Sequence, residues 1–365
     1  VKVQTNNQPL KSYKEIKLLK NLEKIFDKRF QNDKYSILFN SKTGLEITQG
    51  INGNEDPFVL ELPSLLDIGI MGTCENKCKF CYQGHINQPN MLLENFKEII
   101  DEVKHHVNQV ALGGRGDPNK HENFKEILEY CRENRVVPNY TTSGINLTEE
   151  EIELSKLCGA VAVSQIFYEE IIDDKITLKT MDNTYISIEK FINAGIKTNI
   201  HFIYSRISHN IAMNMLEGKD IWKEKVDIDK LNAVIFLLFK PQGAAKYMYS
   251  KIPTINQLQQ FSELIFKPKC KFKIGMDSCL VNHTTKYSQG NKLQQLSIDT
   301  CEGARMSAYI TPDMHFMPCS FADRVFWSRP ITDKKSITTL WQNSPPFNTF
   351  RTLLEKNQNQ CPLNL

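Results

Sequence analysis

Apolar residues along this chain fall into short continuous runs, separated by longer stretches in which they recur every three or four positions. From residue 64 onward the runs read SLLDIGIMG (64–72), NQVALGG (108–114), RVVPNYTTSG (135–144), GAVAVSQI (159–166), IKTNIHFIYS (196–205) and LNAVIFLLFK (231–240). Runs of this kind predict strands. The stretches between them predict helices. Residues 91–105 place Leu92, Phe96, Ile99, Ile100 and Val103 on one helical face, and 122–134 do the same with Phe124, Ile127, Leu128 and Cys131. The helix after Asn146 opens on Thr148-x-x-Glu151, a capping box. Further helices are predicted near 184–194, 208–218 and 254–266. Strand–helix alternation predicts a parallel sheet with right-handed crossovers. Six such units predict an α/β fold, a partial (βα)6 barrel rather than the closed eight-unit form.

Before this rhythm lies a front piece, 1–63. It reads as a basic amphipathic helix over about 11–30, strand-like KYSILFN and GLEITQG, and then FVLELP. Beyond about 268 the texture changes again. Cysteines return, helices thin out, SAYITPDMHFMPCSF predicts a hairpin turning at Pro312-Asp313, and the tail predicts a short closing helix. The expected organisation is therefore 1–63, a barrel over 64–268, and a small cysteine-bearing C-terminal extension over 269–365. No internal repeat or low-complexity tract is evident.

Composition narrows the function classes. The 45 basic and 42 acidic residues leave a formal charge of +3 with no long basic run, which gives no field for nucleic acid or a membrane surface. No stretch of 18 apolar residues predicts a membrane span. The first residues lack the apolar core of a secretory signal, and Val rather than Met in first place suggests trimming. Ten cysteines in a chain of 365 residues without a leader point to a reducing, cytoplasmic setting and to metal ligation rather than a disulfide framework.

The chemistry concentrates in TCENKCKFCYQG (73–84). Cys74, Cys78 and Cys81 form a C-x3-C-x2-C run with Phe80 before the last cysteine, directly after the first barrel strand. Three thiolates in one loop can hold three irons of a cubane cluster and leave the fourth iron open to a small molecule. Zinc with His85 as a fourth ligand is an alternative, as is a redox pair. Cys131 and Cys158 read as small core residues.

This motif in this place resembles the radical S-adenosylmethionine (SAM) enzymes, over roughly residues 64–266. The resemblance implies a [4Fe–4S] cluster on Cys74, Cys78 and Cys81 whose open iron chelates SAM. It also implies one-electron cleavage to a 5′-deoxyadenosyl radical, hydrogen-atom abstraction from a substrate, and an electron donor such as flavodoxin or ferredoxin. LGGRGDPNKH (112–121) departs from the family's Gly-Gly-Glu-Pro-like run. Either Gly113-Gly114 or Gly116-Asp117-Pro118 aligns with it; the proline favours the second, with Gly116 and Asp117 as cosubstrate contacts and no role given to Arg115. Phe80, Ser143 and Ser164 complete the expected cosubstrate set, the two serines being polar strand ends on the ligand-facing side of a barrel. Asn199 and His201 share one face of their strand by the period of two, and Lys240 lies at a strand end. These three are the expected catalytic residues, against the plainer readings of a satisfied core pair and a solvated lysine.

Cys279, Cys301, Cys319 and Cys361 are separated by 22, 18 and 42 residues, which fits no zinc-finger spacing. The hairpin around Cys319 is similar to the SPASM or twitch extensions of the same family, which implies a second, auxiliary [4Fe–4S] cluster on these four, with Cys270 as a substitute. Relatives with such extensions often modify peptides. The expected function is thus an oxidoreductase-type radical maturase acting on a peptide or protein by cross-linking, epimerisation or oxidation. The alternatives are a small-molecule dehydrogenase or rearrangement enzyme, a non-catalytic iron–sulfur electron carrier, and a zinc-stabilised binding module.

Overall fold

The computed structural model describes residues 25–51, 55–172, 175–219, 226–288, 290, 291, 294, 298 and 300–363. The expected front helix lies largely outside these residues. Its last part is instead a strand, β1 (Lys28–Gln31), which pairs antiparallel with β2 (Tyr35–Phe39); β2 then pairs with β3 (Glu46–Gly50). A helix over 28–30 is therefore corrected: Phe30 packs against Tyr35 and His106, so alternation across a small sheet replaces the helical face. FVLELP forms no strand either. Its main-chain groups go to distant partners. Leu60 N donates to Arg305 O (3.0 Å), Trp341 Nε1 to Leu60 O (2.9 Å) and Arg305 Nε to Phe58 O (2.8 Å).

The six expected strands all form: β4 (Leu65–Met71), β5 (Gln109–Gly114), β6 (Val137–Thr142), β7 (Val161–Ser164), β10 (Thr198–Tyr204) and β11 (Ala233–Leu238). They lie side by side in that order and pair parallel throughout. A short ribbon the sequence pattern did not suggest, β8 (Phe167–Ile172) with β9 (Lys175–Thr180), follows β7. The sheet also extends further than expected. β12 (Lys273–Met276) adds a parallel strand to β11, so the sheet continues past residue 268. On the other edge the predicted hairpin forms as β13 (Ser307–Ile310) and β14 (His315–Met317). β13 pairs parallel with β4, and β14 carries the two-residue β15 (Arg329–Pro330). The extension is thus joined to the barrel by main-chain hydrogen bonds. Two helices, Ile337–Asn343 and Pro345–Lys356, close the chain where one was expected.

Among the described residues, the parallel strands pack against helices on one face. On β4, Leu66, Ile68 and Ile70 are fully buried against Phe96, Ile99 and Ile100 of α1 (Leu93–Val103). Each such side chain contributes about 1.5–3 kcal/mol. On β10, Ile200, Phe202 and Tyr204 take this face. The alternate residues, Asp67 on β4, Thr141 on β6, Asn199, His201 and Ile203 on β10, and Ile235 and Leu237 on β11, are half-buried and line the opposite face, the chamber inside the partial barrel. The capping box is present, Thr148 Oγ1 accepting from Glu151 N and Glu151 Oε2 from Thr148 N. Among the described residues no helix is long and apolar enough to cross a membrane.

Candidate active site

β4 ends at Met71, and the chain then makes a closed loop to residue 91. Its neck is pinned by Gln88 N to Gly72 O (3.0 Å) and Met91 N to Ile70 O (2.9 Å). Asn90 Oδ1 accepts from Gly72 N (3.0 Å). Inside, Asn87 Oδ1 accepts from Cys74 N (3.2 Å), and tight turns close Cys81 N on Cys78 O and Gly84 N on Cys81 O (both 3.1 Å). Ala244 N, beyond β11, also reaches Cys81 O (2.8 Å), so the loop is tied across the mouth of the barrel. Cys74, Cys78 and Cys81 are half-buried and free of disulfides, and they stand near enough to act on one another electrostatically. Burial raises the Cys74 and Cys78 thiols, with Asp117 and the neighbouring thiols adding to it; at Cys74 the Arg115 cation opposes the rise. His85 Nε2 donates to Cys78 O (3.0 Å) and is engaged with main chain rather than with the thiols.

Asp117 and Ser143 meet at the ends of β5 and β6. Asp117 Oδ1 accepts from Ser143 N (2.8 Å), and the hydroxyl donates to the other oxygen. Asn76, inside the cysteine loop, donates to Ser143 Oγ (3.3 Å). Burial raises the Asp117 carboxyl despite these bonds. Gly116 serves close packing: a Cβ there would lie 2.2 Å from Thr73 O. Gly113 faces open space, with nothing within 4 Å of a built Cβ. Phe80 is half-buried beside Cys81, and Ser164 ends β7 opposite His201 of β10.

The three expected catalytic residues have different hydrogen-bond partners. His201 faces the chamber, its Nδ1 3.3 Å from Thr141 Oγ1, and burial pushes it down to about 4. Asn199 lies lower on the same strand face. It stands near the start of β10, roughly 16 Å of strand from Tyr204, and its Oδ1 accepts from Asn232 Nδ2 (2.7 Å). Lys240 is buried rather than solvated. It is 6% exposed, its Nζ donates to Asp277 Oδ2 (2.6 Å) and Leu238 O (3.2 Å), and it sits 4.1 Å above the Phe321 ring.

That lysine belongs to the second thiol group. Cys279 opens the helix Ser278–Thr284, which Asp277 caps through Leu280 N (2.8 Å). Cys279 and Cys301 each hydrogen-bond Cys361, and Cys319 lies close enough to Cys279 and Cys361 for their charges to interact. The four residues, far apart in sequence, thus converge. Cys270 stands apart, its thiol on Phe272 O (3.8 Å). Tyr82 lies between the two thiol groups, its ring 4.7 Å from Phe321 and its hydroxyl within electrostatic reach of both Cys81 and Cys319. Among the described residues no three His, Cys, Asp or Glu side chains form a single-ion site. A cluster of several irons spreads its thiolates more widely than one ion does, and donor sets made of thiols alone suit iron–sulfur clusters. Sequence reasoning missed Asn76, Asp277, Tyr82 and Asp67. Only Asp67 carried a signal, a lone charge inside an apolar strand; burial, with Glu302 adding, raises it to about 7.

Similar proteins bear on this geometry. The structure resembles Streptococcus suis SuiB bound to precursor peptide SuiA, with a TM-score of 0.65 and 15% identity over 92% of this chain and 94% of that one. It also resembles Streptococcus suis SuiB bound to S-adenosylmethionine, at 0.61 and 17% over 81% and 69%, and histidine-tagged anSMEcpe with bound AdoMet, at 0.57 and 17% over 80% of each chain. At these identities the likeness concerns the fold. No curated protein matches the sequence. Residues 68–211, which carry the three-cysteine loop, Asp117, Ser143 and His201, match the Radical SAM superfamily, so this segment of the chain is a radical SAM domain.

Proposed function

We propose that this radical SAM enzyme modifies a peptide or protein held in its barrel. The observation that carries the reading is the convergence of Cys74, Cys78 and Cys81 at the C-terminal ends of the parallel strands, beside the Asp117–Ser143–Asn76 network. A [4Fe–4S] cluster held by Cys74, Cys78 and Cys81 would supply the one-electron reduction that cleaves SAM, and with it the radical chemistry that takes a hydrogen atom from the substrate. The chain's own residues hold and shield. The three thiols ligate, the buried Asp117 and Ser143 accept polar groups of SAM, Gly113 leaves space beside them, and the half-buried chamber keeps water from the reacting atoms. Neutral His201 offers a hydrogen bond without a charge.

Cys279, Cys301, Cys319 and Cys361 would hold an auxiliary [4Fe–4S] cluster, with Lys240 offsetting its negative charge. The division into 1–63, 64–268 and 269–365 then has a functional sense: a front piece that meets substrate, a barrel that makes the radical, and an extension that carries the second thiol set. A peptide substrate is supported by two features. One of the structures it resembles, over 92% of this chain, is described as bound to a precursor peptide. Among the described residues, β1 and β3 each pair only with β2, leaving edges to which an extended segment could add a strand.

The test is anaerobic incubation with SAM, dithionite and the short peptides encoded in neighbouring reading frames, read by mass spectrometry. The expected result is 5′-deoxyadenosine together with a mass change in one peptide. Equal 5′-deoxyadenosine with every peptide left unchanged would exclude those peptides and favour a small-molecule substrate.

A further inference from the structure

We propose that Arg115 is a positioning residue that clamps the Cys81 side of the three-cysteine loop onto the end of β5. Its backbone is placed by Gly114. That residue has φ +117°, and a Cβ there would lie 2.2 Å from Met71 O, so a side chain is excluded and the chain turns sharply. The turn delivers Arg115 N to Met71 O (2.8 Å) and aims the guanidinium along the loop. There Nη2 donates to Gln83 O (3.0 Å) and Nη1 to Gly84 O. These two carbonyls follow Cys81 closely in the chain, and Gly84 N closes the turn on Cys81 O (3.1 Å). The Arg115 Nε is buried and has no partner among the described residues, so the whole hold is carried by the fork of Nη1 and Nη2.

A planar guanidinium suits two adjacent carbonyls as an ammonium does not, and charged donors make the stronger hydrogen bonds. The loop has no helix or strand of its own between residues 72 and 91. Beyond the main-chain bonds at Cys81, its shape on that side depends on such side-chain contacts. The clamp holds Cys81 in place relative to Cys74 and Cys78 before any iron arrives. The mechanical role stands on the hydrogen bonds alone; the further consequence, retention of iron, rests on the reading of the three cysteines as cluster ligands.

The test compares wild type, Arg115→Gln and Arg115→Lys. In metal-free protein, trypsin cleavage after Lys77 and Lys79 and alkylation of Cys81 are followed by mass spectrometry, with Cys270 as an internal control. In reconstituted protein, iron loss to a chelator is timed. Arg115→Gln should accelerate loop cleavage and Cys81 alkylation roughly tenfold or more, leave Cys270 unchanged and shed iron faster. Arg115→Lys, which reaches one carbonyl, should fall between. Wild-type rates in Arg115→Gln overturn the proposal. Should that variant fail to fold, wild-type rates in Arg115→Lys overturn it instead. Faster loop cleavage with unchanged iron retention refutes the cluster-holding consequence. A wild-type protein that takes up no iron refutes the reading of the cysteines and leaves the loop measurements standing.

Discussion

Replacing Lys240 by methionine takes the cation out of a buried pair that the fold has surrounded on every side. The ammonium has three contacts, Asp277 Oδ2 at 2.6 Å, Leu238 O at 3.2 Å and the Phe321 ring at 4.1 Å. Breaking a buried pair from one side typically costs about 3–5 kcal/mol, because the remaining charge is stranded. Asp277, however, keeps two main-chain donors, Leu238 N (3.2 Å) and Leu280 N (2.8 Å). The loss for Lys240→Met should therefore fall at or just below the lower limit of that range, about 2–3 kcal/mol. Asp277→Asn strands the ammonium and weakens a helix cap, and should cost about 3–5 kcal/mol. In the double variant neither charge is left behind, so the combined loss should be smaller than the sum by at least about 1.5 kcal/mol. The assay is urea unfolding of metal-free protein for all four members of the cycle. pH supplies a second reading. Burial works to lower Lys240, but Asp277 and the nearby thiols outweigh it and leave the lysine raised above its ordinary value. A raised folded-state value means that the contribution is complete below the unfolded lysine range and is lost as pH rises through the folded value. The gap between wild type and Lys240→Met should thus hold steady from pH 6 to about 9 and close only above about 10.5. A coupling near zero, or a gap that closes below pH 9, would refute the reasoning.

Other perturbations separate packing from chemistry. Gly116→Ala would press a methyl group onto Thr73 O at 2.2 Å; it should cost about 1–3 kcal/mol and lower iron retention. Gly113→Ala meets nothing within 4 Å, so its unfolding midpoint should match wild type while SAM affinity, measured by calorimetry, falls. Asp67 is held up to about 7, first by burial and then by Glu302. Its folded state retains a proton that the unfolded state gives up, so its contribution to stability should fall as pH rises from about 4 to 7, by at most roughly 4 kcal/mol. Asp67→Asn should remove that slope in urea titrations. His201, pushed down to about 4 by burial, should act in the opposite sense, with stability rising from about pH 4 to 6.5; His201→Gln should flatten that rise.

The barrel strands were legible because each is a local apolar run and the helices between them repeat every three or four residues. The Thr148–Glu151 box was legible for the same reason, since both partners lie within one turn. What was missed depends on distant partners. FVLELP is a short apolar run like the strands, yet its main-chain groups are taken by Arg305 and Trp341, more than 240 residues away. β12 is short, begins with an exposed lysine and is held by pairing with β11. At the site, the loop cysteines were readable from spacing alone, whereas the meeting of Cys279, Cys301 and Cys361 needed the fold. The period of two put Asn199 and His201 on the chamber face correctly, but periodicity carries no information about height along a barrel, and Asn199 lies near the start of its strand. Lys240 resembled a rim lysine because its partner, Asp277, is 37 residues away.

The most direct measurement is 5′-deoxyadenosine release from SAM under dithionite by anaerobically reconstituted wild type and by Cys74→Ala, Cys78→Ala and Cys81→Ala, each with its iron content. Wild type should bind iron and release the nucleoside, and all three variants should release none. Normal release from any one of them would contradict the assignment of these thiols.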